Sequence, residues 1–449
     1  MLDNILRFLE RIEPDKKKSP LLHTAYDAFH TFAFTPNTVT KGGVHLRDTV
    51  DLKRTMFFVV IALQLCYLFG TYNIGHQHFV ALGQHVGFME GFHLKLVYGL
   101  IQMIPIFVVA NVVGLGIEFL YAARKGHPVE EGYLVTGALI PLIMPPDIPL
   151  WMLTVSIVFA VIVGKEAFGG TGMNVLNIAL LSRVFIFFAY PTEISGDNVW
   201  VAGLEQVKDE GSAYYGMTVA SYHWAHDAFN SLFAGLDLAT FNEYTPVRDG
   251  YTGATPLSLA WGGGWERVTE HYSESQMLWG TIPGSIGESN KIFVLLGAVF
   301  LMVTGVGSWR IMLSCFIGAA LVAMGLNLWG ATPFMEVPWH HQFLMGSFVF
   351  AMAFMATDPV TASSTSTGKL WYGFGIGAIG MIIRVVNPAY PEGWMLSILF
   401  MNVFAPLIDH YVLDANISRR KKRKRSLATA TTYTPESQET TTTLAPAGE

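Results

Sequence analysis

VYGLIQMIPIFVVANVVGLGIEFLY, residues 97–121, contains one charged side chain, Glu118, over a length sufficient for a helix to cross about 30 Å of hydrocarbon. Similar apolar stretches, bounded by charges, Pro or Gly, lie near residues 56–72, 133–146, 149–165, 174–191, 292–307, 310–329, 341–357, 371–386 and 394–413. Hydrophobic residues make up 51% of the chain and charged residues 14%, against roughly 25% charged in soluble domains. A large soluble α/β enzyme would have to bury several of these uncharged runs at once. The predicted fold class is therefore an all-α integral membrane protein of about ten transmembrane helices, in two five-helix halves with a long external loop between them.

The charges are segregated, so the net charge of -6 says little about partners and gives no sign of nucleic acid. Lys53 and Arg54, Arg124 and Lys125, Lys165, Arg310, Lys369 and the run Arg419 to Arg425 all fall on one side if the chain crosses ten times with both termini inside. Basic residues mark cytoplasmic loops, so residues 192–291 are expected outside, which is the periplasmic face if the host is a Gram-negative bacterium. This divides the chain into an N-terminal segment 1–55, a first membrane half 56–191, the external loop 192–291, a second half 292–413 and a tail 414–449. Residues 1–53 show no apolar signal-peptide core, and the first apolar run is expected to direct insertion. From 426 onward the tail is rich in Thr, Ser, Pro and Ala, and disorder is expected. Pro141, Pro145 and Pro146 mark the third span as tilted or re-entrant. Cys66 and Cys315 lie in apolar runs without further ligands at metal spacing, and read as packing residues.

Within the external loop stands Asp249-Gly250-Tyr251-Thr252-Gly253-Ala254-Thr255-Pro256-Leu257. Asp-Gly favours a turn, Gly253 and Ala254 leave the backbone uncrowded, and Thr255 presents a hydroxyl just before a proline. On residue type alone this is a Thr-capped turn entering a helix at Pro256, or a hydroxyl open to modification. The segment resembles the flavin-attachment site of the family that contains the B-type membrane component of the sodium-pumping NADH:quinone oxidoreductase and the D-type component of the Rnf electron-transport complex. Further stretches resemble that family in the same order: Val50 to Arg54, Lys165 to Gly172, Phe187 to Pro191, Ile282 to Glu288, Met355 to Pro359 and Arg384 to Gly393. Thr252 stands where the B-type pattern often has Ser, and residues 203–248 form a longer loop than usual.

The resemblance implies FMN joined to Thr255 by a phosphoester, with Asp249, Thr252, Gly253 and Ala254 completing the attachment motif, and a flavin transferase to join it. It implies riboflavin bound noncovalently in the helical core, ubiquinone reduced near Gly114 and Glu118, and Na+ passing by Glu118, Asp358 and Asp409. The implied assembly is a redox-driven translocase with other subunits, A, C, D, E and F, in membrane lipid. No NADH fingerprint or cysteine cluster is present, which places NADH oxidation on a partner.

The residues themselves leave more than one reading open. Glu118 at membrane depth is a functional candidate, or an interfacial carboxylate. Gly114 also serves close helix packing. Asp358, with Thr357, Thr361 and Ser363 nearby, and Asp409 offer oxygens that suit a hard cation, or helix-end roles. Gly169-Gly170-Thr171-Gly172, before Asn174 and Asn177, is a cofactor-lining turn or a plain interhelical one. Arg183 and Arg384, within or near apolar spans, are expected to pair with acids or a cofactor, and the sequence does not name the partner. His223, His226 and His271 read as loop-surface residues, and His340-His341 as part of an interfacial belt. Beside the reductase component stand two alternatives, an Rnf D-type component and a flavin-free transporter.

Overall fold

The computed structural model describes residues 52–125, 132–194, 198–206, 218–221, 244–248, 251–387 and 393–432, together with Pro14, Ser19, His23 and Tyr26. Its first half holds α1 (Leu52–Ala81), α2 (Phe92–Lys125), α3 (Tyr133–Ile143), α4 (Leu150–Gly164) and α5 (Ile178–Ala189). The long loop then contributes a small antiparallel sheet, β1 (Leu204–Gln206), β2 (Thr218–Ser221) and β3 (Tyr244–Pro246), in the order β1-β2-β3. Its register pairs Leu204 with Ala220 and Ala220 with Thr245. Two loop helices follow, α6 (Pro256–His271) and α7 (Glu274–Trp279). The second half holds α8 (Lys291–Val303), α9 (Trp309–Trp329), a broken span, α10 (Gly368–Val386) and α11 (Trp394–Thr432).

Among the described residues six helices are long and apolar enough to cross a membrane, and three shorter apolar helices, α3, α5 and α8, accompany them. With the broken span these make ten elements, five on each side of the loop, as the hydrophobic pattern predicts. The halves share a packing plan: α2 lies on α4 and α4 on α5, while α9 lies on α10 and α10 on α11. They meet first helix to first helix, α1 with α8, and last to last, α5 with α11.

Boundaries differ from the sequence pattern where buried polar side chains extend a helix. α1 runs to Ala81, past the apolar stretch that ends near 72, because Asn73, His76, Gln77 and His78 are buried against neighbouring elements. α11 continues through the basic run to Thr432, beyond the point from which composition predicts disorder. Residues 433–449 and 1–13 lie outside the described residues. Pro141 does not break α3, which ends two residues later. At 11 residues α3 is only about 16 Å long.

The expected eighth span is not one helix. A 3-10 turn, His341–Phe343, gives way to irregular backbone and then to Phe348–Phe350 and a π-turn, Ala351–Met355. Its exposed carbonyls are met by buried cations. Arg384 Nη1 donates to the Gln342 and Met345 oxygens at 2.7 and 3.2 Å, and Lys291 Nζ donates to the Gly346 oxygen at 2.8 Å. The short end of α3 is treated alike, by backbone: Gly287 N–H donates to the Leu142 oxygen at 2.7 Å and Ile286 N–H to that of Met144 at 3.3 Å. The Ile282 to Glu288 signature is thus an inserted strap that completes a truncated helix.

Glycine sets the closest contacts. A Cβ on Gly377 of α10 would lie on the Cys315 carbonyl of α9, whereas one on Gly325 would meet nothing within 4 Å. Gly377→Val is expected to cost about 1–3 kcal/mol by forcing α9 and α10 apart. Thermal unfolding in detergent should show a lowered Tm for Gly377→Val and an unchanged one for Gly325→Val.

Candidate functional site

Two regions carry the chemistry-bearing residues, one at each end of the bundle. At the loop end, Thr255 is the N-cap of α6: its Oγ1 accepts from Ser258 N–H at 3.3 Å, and Pro256 occupies the first helical position. The preceding turn is fixed by Gly253 at φ 65°, a left-handed conformation that favours glycine, and by Thr252 Oγ1 accepting from Ala254 N–H at 3.4 Å. Ala254 is buried, and its carbonyl accepts from the Tyr272 hydroxyl at 2.9 Å. Thr252 is exposed and Thr255 half-buried, so the motif is held from beneath while its hydroxyls stay near the surface. Asp249, the first residue of the motif, lies outside the described residues.

α6 carries the motif onto the second half. It kinks at Gly263 and Gly264, where Gly264 has φ 69°, and beyond the kink Trp265 stacks on His341 with ring centroids 3.9 Å apart. His341 Nε2 lies 2.8 Å from Glu274 Oε1 of α7. His341 is therefore a buried tie between the loop helices and the broken span, while His340 remains exposed as expected of a belt residue. Tyr251 packs under the turn, and burial raises its hydroxyl well above the usual range, so at neutral pH it keeps its proton and is a hydrogen-bond donor.

At the opposite, basic end a cavity of about 60 Å³ lies where the two halves meet. Met56 and Val59 of α1, Leu301 of α8 and Phe354 give it apolar walls, and Lys165, Thr171, Asn174, Asn177, Thr357 and Asp358 give it polar groups. The Gly-rich turn before α5 shapes one side: Gly169, Gly170 and Gly172 all have positive φ, at 117°, 105° and 89°. Asn177 caps α5 through Oδ1, which accepts from Leu180 N–H at 3.2 Å, and donates from Nδ2 to Asp358 Oδ2 at 3.4 Å. Asp358 also accepts from the Thr361 hydroxyl at 2.9 Å and Val360 N–H at 3.1 Å. One carboxylate thus ties α5 to the end of the broken span.

Glu118 and Lys165 form a buried ion pair in which Nζ donates to Oε1, each residue 4% exposed. Since Lys165 lines the cavity, the pair links α2 to it. A second pair, Lys125 with Glu166 at 3.6 Å, brackets the same connection. Gly114 lies one turn before Glu118, and the ring of Tyr133 fills the space a side chain there would take. The Tyr133 hydroxyl donates to the Ala110 oxygen at 2.7 Å, so α2 and α3 approach closely at Gly114. Asp409 stands apart. It gathers the loop before α10, accepting from Ser363 and Thr365 hydroxyls, both at 2.6 Å, and from Ser364 and Thr365 N–H groups at 2.7 and 3.0 Å.

The structure therefore brings Lys165, Asn177 and Asp358 to one cavity, with Glu118 joined to it through Lys165, and leaves Asp409 as a loop anchor. Lys165 had no place among the sequence candidates, since a lysine at a helix end reads as an orientation signal. Arg183 finds Ser285 Oγ at 2.8 Å and the Trp200 ring at 5.6 Å, and Arg384 finds Trp394 at 5.0 Å.

Residues 39–418 match the profile of the NQR2, RnfD, RnfE family. The chain belongs to this family. It is 40% identical to the B component of the Na(+)-translocating NADH-quinone reductase of Chromohalobacter salexigens, over 94% of this chain and 97% of that one. It is 38% identical to the corresponding component from Ectopseudomonas mendocina, over 93% and 99%, and 36% identical to that from Haemophilus influenzae, over 92% and 98%. Membership of the NQR2, RnfD, RnfE family agrees with the order of signatures along the chain, and the match spans both regions described above.

Neutralising one member of a buried ion pair leaves the other charge stranded, at about 3–5 kcal/mol. Glu118→Gln is expected to lower the detergent Tm sharply. The double variant Glu118→Gln/Lys165→Met should recover most of the loss, and a thermodynamic cycle over the four proteins measures the coupling.

Proposed function

We propose that this chain is the membrane component of a Na+-translocating NADH-quinone reductase, carrying FMN on Thr255 and riboflavin in the basic-end cavity, and coupling ubiquinone reduction to Na+ export. Thr255 carries the proposal: a half-buried hydroxyl on a glycine-shaped turn, anchored to the membrane helices by Ala254, Tyr272 and α6. A phosphoester at this oxygen keeps an acceptor at the start of α6, so modification and helix capping are compatible. Asp249, Thr252, Gly253 and Ala254 would present the turn to a flavin transferase. The bound flavins would supply the one- and two-electron chemistry.

The cavity suits riboflavin by its lining, with apolar walls for a ring and with Asn174, Asn177 and Thr171 for a polyhydroxyl chain. Lys165 and Asp358 place opposite charges on its wall. Glu118, neutralised by Lys165, is poised to change partner when a cation arrives, and Asp358 with Thr361 offers the oxygen ligands a hard cation prefers. A quinone approaching Gly114 would meet the Tyr133 ring. Asp409 would act on the Na+ path by holding the loop that follows Asp358.

On the pattern of basic residues, the cavity end would face the cytoplasm and the Thr255 loop the periplasm of a bacterial inner membrane, with both termini cytoplasmic. NADH oxidation then belongs to the other subunits, A, C, D, E and F. The relatives carry the reductase name over almost their full length, which favours the reductase over an Rnf complex.

After expression with a flavin transferase, the denatured wild-type chain should fluoresce under ultraviolet light in a gel, and Thr255→Ala should be dark. A dark wild-type band with an active transferase would leave a flavin-free transporter. Asp358→Asn should keep the fluorescent band while lowering Na+-stimulated quinone reduction by about tenfold, the loss of roughly 1.4 kcal/mol.

A further inference from the structure

A second pocket, of about 220 Å³, lies beside the flavin motif. His76 and Gln77 at the loop end of α1, Tyr251 and Gly253 of the motif, and Tyr272 and Gln276 at the junction of the two loop helices line it. Its walls are aromatic rings and amides, which suits a flat ligand with hydrogen-bonding edges. The Tyr251 hydroxyl is buried and has no hydrogen-bond partner among the described residues. A buried donor without a partner costs free energy, and a ligand acceptor in the pocket would remove that cost.

A positive charge stands behind one wall. Lys95 is fully buried at the start of α2, and its Nζ lies 3.0 Å from His76 Nδ1 and 2.6 Å from the Gly87 oxygen. The close approach is built into the helices, because a Cβ on Gly75 would fall on the Lys95 carbonyl. With the Lys95 ammonium donating to Nδ1, the imidazole proton sits on Nε2, which leaves His76, a residue of the pocket wall, one further donor to offer. Tyr72 stacks on His76 with centroids 5.7 Å apart and holds the ring in place.

We infer that this pocket receives the isoalloxazine ring of the flavin esterified to Thr255, with the Tyr251 hydroxyl and the Lys95-polarised His76 as donors to its hydrogen-bonding edge. Thr252 and Gly253 line the pocket within three residues of Thr255, at most about 11 Å along the chain, a span that a five-carbon ribityl phosphate covers. Lys95 and His76 are then positioning residues: by favouring negative charge on the ring they tune its electron affinity. The inference rests on covalent flavin at Thr255.

Native-state flavin fluorescence tests it, with the denatured gel band as the measure of attachment. Wild-type protein should show weak native emission that iodide barely quenches, because the ring is enclosed. Val86 lines the pocket and is 48% exposed, so Val86→Trp can fill the space from the rim without disturbing the core. Per attached flavin, Val86→Trp should raise iodide quenching severalfold, and Tyr251→Phe, which removes only the hydroxyl, should shift the flavin absorption maxima. Equal quenching in wild type and Val86→Trp, with an unshifted Tyr251→Phe spectrum, would place the ring elsewhere and overturn the inference while covalent attachment stands. A dark denatured wild-type band would remove attachment and inference together.

Discussion

Inside hydrocarbon every backbone N–H and C=O must find a partner within the protein, and this fold depends on how that requirement is met where helices stop short. α3 ends after 11 residues and the eighth span is broken, so both expose carbonyls at depth. The remedies are specific. The strap from Ile282 to Glu288 lends amides to the end of α3, and Arg384 and Lys291 lend cationic donors to the broken span. Without those partners neither irregular segment would be tolerated, and the cavity between the halves would lose the wall formed by Phe354, Thr357 and Asp358.

These irregular segments are also where the chemistry collects. The broken span ends at Thr357 and Asp358, which line the basic-end cavity, and begins at His341 and Gly346, which meet the loop helices and Lys291. One interrupted element therefore touches both regions. Regular helices satisfy their own backbone and leave little to bind with. A break frees polar groups that tertiary structure then directs.

Charge burial follows the same logic. Glu118 and Lys165 are paired, Arg183 meets a hydroxyl and an aromatic face, and Lys95 meets an imidazole and a carbonyl. Each such group has a substantial desolvation cost, and each is found where two or three elements converge. The buried ionic groups thus mark the junctions of the fold as well as its sites.

Hydropathy in the sequence was sufficient to determine the membrane class, the five-plus-five division and the place of the Thr255 motif, because a helix in lipid needs an apolar run of fixed length and a turn needs its glycine and proline locally. The extension of α1 to Ala81 was not legible, since Asn73, His76 and Gln77 are polar and interrupt the apolar run, and only their neighbours bury them. Nor was the break in the eighth span, which is apolar and carries no proline between residues 341 and 357. Only tertiary structure decided that Lys165 faces Glu118, that Asn177 meets Asp358 across the halves, and that Asp409 holds a loop. Those choices depend on contacts between residues 47, 181 and 46 positions apart, and long-range pairing leaves no periodic trace in the chain.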